Sequence, residues 1–349
     1  MSRTCRAGVF NGREQVEIRE FTVPDPPPGG AIVRVEAVGM CGSDVAQWHG
    51  LVTLPGMSYP IVPGHEIVGV IEQLAVDAVL GVREGDRVAI DEVVRGFGPL
   101  RVYGYTAMDA GGDVGLYGGY GEYLVVVPGT VMHRLTVDLP PEELTQFEPL
   151  ASARNWVAIA GVGPGATVVV QGPGHQGLAV VQSVFAAGAT EVYVTGTHRD
   201  SLRLQVATEL GATSINVDEV DPVDYVRSIT GGGADIVFDV TPVPDTVGLA
   251  IDLVRTGGTV LLAGLKERRQ VSLISDDIVN RSLRVFGGTA FTPASLAEAV
   301  HLINEGLVDT KPLRGAVFGL TQVEDAVRLL LRSDPAGDAV RVSLRHEHH

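Results

Sequence analysis

Thiols are scarce in this 349-residue chain: Cys5 and Cys41 are the only cysteines. Two are too few for a disulfide framework, and each is left available as a free thiol. Long apolar runs are missing as well. No stretch approaches the roughly 20 residues that span a bilayer, and the opening MSRTCRAGVF lacks the apolar core of a secretory signal, so a cytoplasmic location is expected. Positive charge is in deficit, with 26 Lys and Arg against 42 Asp and Glu, a net charge of −16 and a pI near 4.9. Such a field repels nucleic acid and anionic membranes, which excludes both as partners. Lysine is nearly absent, at Lys266 and Lys311 only, and nothing functional follows from that. What is present is 45% hydrophobic and 19% charged with a mean hydropathy of +0.21, the balance of a globular chain. Its length exceeds a single core of roughly 100 to 200 residues, so two domains are expected.

The first 150 residues read as strands. Alternation runs through Ala31–Val38, and short apolar runs follow at Ile67–Ile71, Arg87–Ile90 and Glu122–Val127, punctuated by Pro and Gly. After Gly161 strand-like and helix-like segments alternate: Thr167–Val170, Gln176–Ala187, Glu191–Thr195, Asp200–Leu210, Asp235–Val240 and Thr259–Ala263. Alternation of that kind predicts βα units on a parallel sheet, an α/β fold. Helical patterns at Pro293–Glu305 and Val323–Arg332 and a strand at Ala339–Leu344 are expected to return to the first domain. The expected division is 1–155 with 291–349 for one domain and 156–290 for the other. Between them in character is Arg95–Gly121, rich in Gly and in Phe97, Tyr103, Tyr105, Tyr117 and Tyr120; a stretch of that length is a functional or interface excursion, or its tyrosines pack. The ending Arg345-His-Glu-His-His349 reads as a frayed terminus.

Gly172, Gly174 and Gly177 form G-x-G-x-x-G directly after an apolar strand and at the opening of a helix. Glycines there allow a tight turn, close approach of backbone to a pyrophosphate and close helix packing, with helix N–H groups facing the phosphates. His175 and Gln176 lie inside the loop and count among the cofactor contacts, as do Thr241 and Gly264 further on. The acid that usually reads the ribose about 20 positions later is absent. Gly196 stands in its place, followed by Thr197, His198 and Arg199. Loss of the carboxylate with a guanidinium close by favours NADP over NAD; the other reading leaves Arg199 solvated and the 2′-hydroxyl held by Thr195 or Thr197.

Cys41 lies in Gly39-Met-Cys-Gly-Ser-Asp44 and His65 in Pro63-Gly-His-Glu66. A thiolate and an imidazole suit zinc. Taken singly, a cysteine is more often a packing residue and a histidine more often a satisfied hydrogen-bond partner. The order Cys41-Gly-Ser-Asp44, Gly64-His-Glu66, Gly85-Asp-Arg-Val88, Glu148-Pro-Leu150 and then the glycine loop resembles the zinc-containing branch of the medium-chain dehydrogenase/reductase family. Its Glu-Pro-Leu group is similar to the alcohol, sorbitol, threonine and butanediol dehydrogenases. The resemblance implies a GroES-like β-barrel catalytic domain plus a Rossmann doubly wound cofactor domain, and a zinc-dependent oxidoreductase transferring hydride between an alcohol, a secondary alcohol or diol, and a nicotinamide cofactor. It further implies Cys41, His65 and Glu148 as zinc ligands, Glu66 beside the metal and able to ligate it transiently, Ser43 as first proton carrier, and Asp44 as a brace for the metal loop. A homodimer or homotetramer is the implied assembly.

Two departures stand out. A histidine five positions after the cysteine often continues the proton path, but Ala46 occupies that place, so the path runs through ribose hydroxyls and water or through His49. No cysteine occurs between Ala89 and Tyr123, where relatives often hold a structural zinc, so a single zinc is expected. Trp48, Leu51, Leu54, Met57 and Tyr59 suggest an apolar pocket wall, against the polyol leaning of Glu-Pro-Leu. The alternatives are a zinc-free quinone or enoyl reductase of the same fold and a non-catalytic cofactor-binding member.

Overall fold

The alternating stretch that begins at Ala31 becomes the strand Ala31–Gly39, on which the first half of the molecule is assembled. In the computed structural model residues 3–52, 54–96, 101–109, 115–333 and 337–348 are described. Phe97 and His349 lie outside them. The chain divides into two compact units, Met1–Phe147 with Ile303–Gly306 and Arg314–His349, and Glu148–Leu302 with Leu307–Leu313.

In the first unit, Ala31–Gly39 pairs antiparallel with Glu66–Leu74 along one edge. Along its other edge it pairs with Tyr123–Val126 over residues 31–34 and with Val342–Arg345 over residues 37–39. Register shifts between Ile32 and Val33 and between Val35 and Ala37 mark where the strand bends, so that its two halves serve different neighbours. The seven-stranded sheet is completed by Arg87–Ile90, Met132–Arg134 and Ala316–Phe318. Of the aromatic residues in the 95–121 segment, Tyr103, Tyr117 and Tyr120 are fully buried in this unit's core. Tyr103 shares a hydrogen bond with Thr130 Oγ1 at 2.7 Å and accepts one from the Val127 amide at 3.0 Å. For these residues the packing reading holds.

The second unit is a six-stranded parallel sheet in the order Thr213–Asn216, Glu191–Gly196, Thr167–Gln171, Ala234–Asp239, Val254–Leu262, Arg284–Gly287. Helices follow the strands, as at His175–Ala186, Ser201–Glu209, Pro222–Thr230 and Thr246–Leu253. Strand residues such as Val168, Val169 and Val170 are fully buried, as a sheet covered on both faces requires. The order reverses on either side of the strand that leads into the glycine loop, which is the switch point where such sheets bind dinucleotides.

The domain boundaries differ from the expected 155/156 and 290/291. Helix Phe147–Ala160 joins the second unit almost from its start, and residues 291–302 stay there too. Hydrogen bonds explain both shifts: Asn155 Nδ2 donates to Ala290 O at 2.7 Å, Trp156 Nε1 donates to Thr289 O, and Arg154 pairs with Glu298 on helix Pro293–Asn304.

As far as His348 the tail is not frayed. Strand Val342–Arg345 carries it along Ala31–Gly39, and the His346 amide continues the ladder to Glu36 O at 3.0 Å. His346 is buried and its Nε2–H donates to Gly119 O at 2.8 Å, while His348 Nε2 donates to Val35 O at 2.7 Å. The carbonyl partner fixes the neutral tautomer and leaves His346 Nδ1 buried with no partner among the described residues. Burial therefore pushes this imidazole down to about 4. An unfolded histidine takes up its proton near 6.5, so the unfolded chain is protonated first and stability is lost as pH falls from about 6.5 to 4. The loss should reach about 3 kcal/mol, and His346→Gln should flatten this part of the urea-midpoint profile measured between pH 7 and pH 4.

Candidate metal centre and dinucleotide loop

Cys41 stands where strand Ala31–Gly39 gives way to helix Gly42–Trp48. The Asp44 carboxylate accepts from the Cys41 amide at 2.7 Å, which ties the loop to the first turn of its own helix. Gly64, at φ +90°, turns the chain into His65; a Cβ there would come within 2.5 Å of Tyr120 Cδ1. The potential ligand atoms of Cys41 and Glu66 lie within 4.8 Å of one another, and so do those of His65 and Glu66. His65, Glu66 and Asp44 are buried.

The electrostatics of this cluster favour a cation. His65 is raised well above its ordinary value although burial works against its charge, because Tyr105, Glu92, the Cys41 thiol and Asp44 outweigh burial. Burial pushes Asp44 up to about 6 and Glu92 up to about 7, with His65 opposing each shift. Surroundings that keep a buried imidazole protonated also stabilise a metal ion in the proton's place, and sulfur, nitrogen and oxygen donors are the set zinc takes. The residues of this unit fit the ion that the sequence implies.

Glu66 also has a partner absent from the sequence reading. Arg341 forms a buried ion pair with Glu66 Oε2, and its guanidinium donates to Thr145 O at 3.0 Å and Thr145 Oγ1 at 2.9 Å. The pair fills the space over Gly39, where a Cβ would collide with Glu66 and Arg341. Arg341 betrays itself in the sequence only as a charge between Val340 and Val342.

Ser43 Oγ is buried beside the Tyr105 hydroxyl, and a serine hydroxyl can both accept and donate a proton. His49 does not join the cluster: it is exposed and its Nδ1 meets Glu14 Oε1 at 2.7 Å. The apolar wall is largely spent elsewhere. Met57 is core, Leu54 packs on it, Trp48 meets Phe10 edge-on at 5.3 Å, and Tyr59 donates to Gln47 O and Leu51 O, each at 3.0 Å. Glu92 was missed. It follows strand Arg87–Ile90, is buried, and sets Oε2 at 3.9 Å from His65 Nε2, on which Tyr105 also leans with ring centres 5.5 Å apart.

In the second unit Gly172 adopts φ +98°, and a Cβ at Gly177 would sit 1.9 Å from Gly172 O, so the helix that begins at His175 packs directly on the loop. A Cβ at Gly264 would sit 2.1 Å from Thr241 O, which places these two predicted contacts together. Lys266, also missed, donates to Asp239 Oδ2 at 2.8 Å and Thr241 O at 2.5 Å beneath them. Gly196 ends its strand with no room for a larger residue: a Cβ would meet Pro173 Cγ at 2.9 Å. Beyond it Asp200 accepts from Thr197 N at 2.9 Å and Thr197 Oγ1 at 2.8 Å. Arg199 lies between these residues in the single turn His198–Asp200. Glu148 is buried in the first turn of Phe147–Ala160, where its Oε1 accepts from Ser152 Oγ at 3.1 Å.

Residues 27–137 match the family described as alcohol dehydrogenase GroES-like domain, and residues 177–305 match the zinc-binding dehydrogenase family. A Mycobacterium tuberculosis protein described as "Probable alcohol dehydrogenase" is 36% identical over 326 residues, 86% of this chain and 87% of its own. Sorbitol dehydrogenase of Halalkalibacterium halodurans is 28% identical over 336 residues, 92% of this chain and 93% of its own. Among solved structures, a Sinorhizobium meliloti protein crystallised bound to NADP is 28% identical with a TM-score of 0.85, covering 98% of this chain and 99% of that one.

Removing the guanidinium from the buried pair would strand a carboxylate. Arg341→Met should cost about 3–5 kcal/mol, read as a fall in the denaturant midpoint, and adding Glu66→Met to it should recover most of the loss.

Proposed function

The chain belongs to the zinc-type medium-chain alcohol dehydrogenase family and is an alcohol or polyol oxidoreductase, and from that premise we propose a reaction between a secondary alcohol or diol and its ketone, using NADP and one catalytic zinc. The ligands proposed are Cys41, His65 and Glu148. The observation that carries this reading is the buried cluster of sulfur, nitrogen and oxygen donors around Glu66, Cys41 and His65 among them, whose neighbours favour a positive charge at His65 in spite of burial. Glu148 enters through its place in Glu148-Pro-Leu150.

When bound, zinc supplies Lewis acidity that lowers the pKa of a hydroxyl or polarises a carbonyl, and the nicotinamide supplies the hydride acceptor. The chain's own residues do the rest. Ser43 Oγ accepts the substrate hydroxyl proton and passes on its own. With Ala46 in place of a histidine and His49 turned to Glu14, neither position continues the path from Ser43, and a bound cofactor would offer its ribose hydroxyls there. Asp44 keeps the Cys41 loop closed on its helix, and the Arg341–Glu66 pair holds the strand that follows His65.

The NADP reading rests on Gly196, which leaves no carboxylate at the strand end, and on Asp200 being engaged with Thr197 while Arg199 lies next to it. Crystallisation of a relative with NADP agrees with it. A homodimer or homotetramer is proposed from the edge strand Arg284–Gly287, whose Val285 and Phe286 are 39% and 40% exposed. An exposed apolar edge strand is a template for pairing with another chain.

Two measurements test the core of this reading. Purified enzyme should hold one zinc per chain, and Cys41→Ala should lose the metal together with alcohol oxidation; two zinc ions, or oxidation that survives chelation, would remove it. Arg199→Ala should lower kcat/KM for NADP by roughly 10- to 100-fold, the scale of a lost charged contact, and leave that for NAD nearly unchanged.

A further inference from the structure

The loops that follow three adjacent strands of the parallel sheet, Thr167–Gln171, Ala234–Asp239 and Val254–Leu262, are linked through one lysine. The Lys266 side chain is only 10% exposed, and its ammonium donates to Asp239 Oδ2 at 2.8 Å and Thr241 O at 2.5 Å. Thr241 Oγ1 and Thr246 Oγ1 each lie 3.4 Å from the same nitrogen. Asp239 is fully buried and well supplied with donors: its Oδ1 accepts from Thr241 N at 3.0 Å and Thr241 Oγ1 at 2.9 Å. Every polar atom of Thr241 is thereby engaged within the protein. What Thr241 turns toward the glycine loop is its methyl, since a Cβ at Gly172 would lie 2.8 Å from Thr241 Cγ2.

The backbone after the lysine is strained. Glu267 and Arg268 both adopt the left-handed conformation, at φ +52° and +59°, which residues other than glycine rarely take. Two such residues in succession persist only where neighbours hold them, and strain of this kind collects at functional sites. Here Arg269 holds them: its amide donates to Lys266 O at 2.9 Å and its Nη2 to Pro242 O at 2.6 Å. The turn 266–269 is thus clamped back onto the loop that carries Thr241.

Lys266 could serve a dinucleotide as a phosphate ligand or as a support for the loop. An ammonium has three donors, and the four protein oxygens around Nζ take them, which leaves none for a phosphate. We propose that Lys266 is a positioning residue for cofactor binding: through Thr241 it holds the turn at Gly172 in the form that receives a pyrophosphate. The inference rests on the dinucleotide reading above and deepens it. A glycine turn has little rigidity of its own, because glycine populates left- and right-handed conformations alike. Gly172, at φ +98°, rests against Thr241 Cγ2 and against the helix residue Gly177, so a shift of Thr241 removes one of its two supports.

The test measures dissociation constants for NADP, NAD and ADP-ribose by calorimetry, together with kcat, KM and melting temperature. Three variants are compared: Lys266→Met, Lys266→Met with Asp239→Asn, which removes both charges together, and Thr241→Ser, which keeps the hydroxyl and removes the methyl. The three ligands share the pyrophosphate, so each variant should weaken all three by one common factor, roughly 3- to 30-fold. KM for the cofactor should rise in step while kcat stays within about twofold. Weakening confined to NADP would make Lys266 a reader of the 2′-phosphate and overturn the proposal. So would unchanged dissociation constants in the folded double variant, or a fall in melting temperature and kcat without any change in binding. Should the lysine variants fail to fold, Thr241→Ser, in which the buried ion pair is intact, decides by the same readout. A wild type that binds none of the three ligands would overturn the dinucleotide reading itself, and this inference with it.

Discussion

A carboxylate and a guanidinium, 275 positions apart in sequence, meet in the interior of the first unit, and the placing of His65 depends on their meeting. Glu66 follows His65 directly, so whatever fixes Glu66 fixes the start of the strand that presents the imidazole. Arg341 does this from the segment that leads into Val342–Arg345, and it is anchored in turn by Thr145. The contact is possible only because residue 39 is glycine. Buried ion pairs contribute little net stability against an apolar pair of the same size. Their value here is positional, since only one register of strand Val342–Arg345 on strand Ala31–Gly39 brings the charges together.

The motifs that resemble the family were legible because they are local. Cys41-Gly-Ser-Asp44, Gly64-His-Glu66 and the glycine loop each carry their chemistry within a few residues, and strand-to-helix alternation located four of the six parallel strands, leaving out the short edge strands Thr213–Asn216 and Arg284–Gly287. Arg341, Glu92 and Lys266 were not legible, because each gains its meaning from a partner remote in sequence. Glu92 follows the apolar run Arg87–Ile90 next to Asp91, and nothing in the two adjacent acids themselves shows that the fold buries both. The tail failed for the same reason. Arg345-His-Glu-His-His349 has the composition of a loose end, yet pairing with Ala31–Gly39 gives its backbone and His346 partners that composition does not reveal.

Each unit shows one economy of design. In the first, side chains with charge are buried and only partly paired, which leaves an electrostatic demand that a cation and a polar ligand can meet. In the second, the charged Lys266 and Asp239 are matched within the protein, and the loop above them is made from glycines whose backbone atoms touch. A surface of bare amides is what a pyrophosphate needs. The absence of an acid at Gly196 follows the same pattern, because crowding by Pro173 and Leu204 keeps that strand end small.

The placement of Val342–Arg345 next to Ala31–Gly39 has a consequence for how the protein is made. Domains fold as units while the chain is still being synthesised. The parallel sheet of the second unit is finished with Arg284–Gly287, well before Arg341 exists, whereas the metal loop emerges early and waits for a strand that arrives some 300 residues later. The ribosome therefore delivers the cofactor fold first, and Cys41 and His65 reach their final setting only after the polypeptide has passed residue 345.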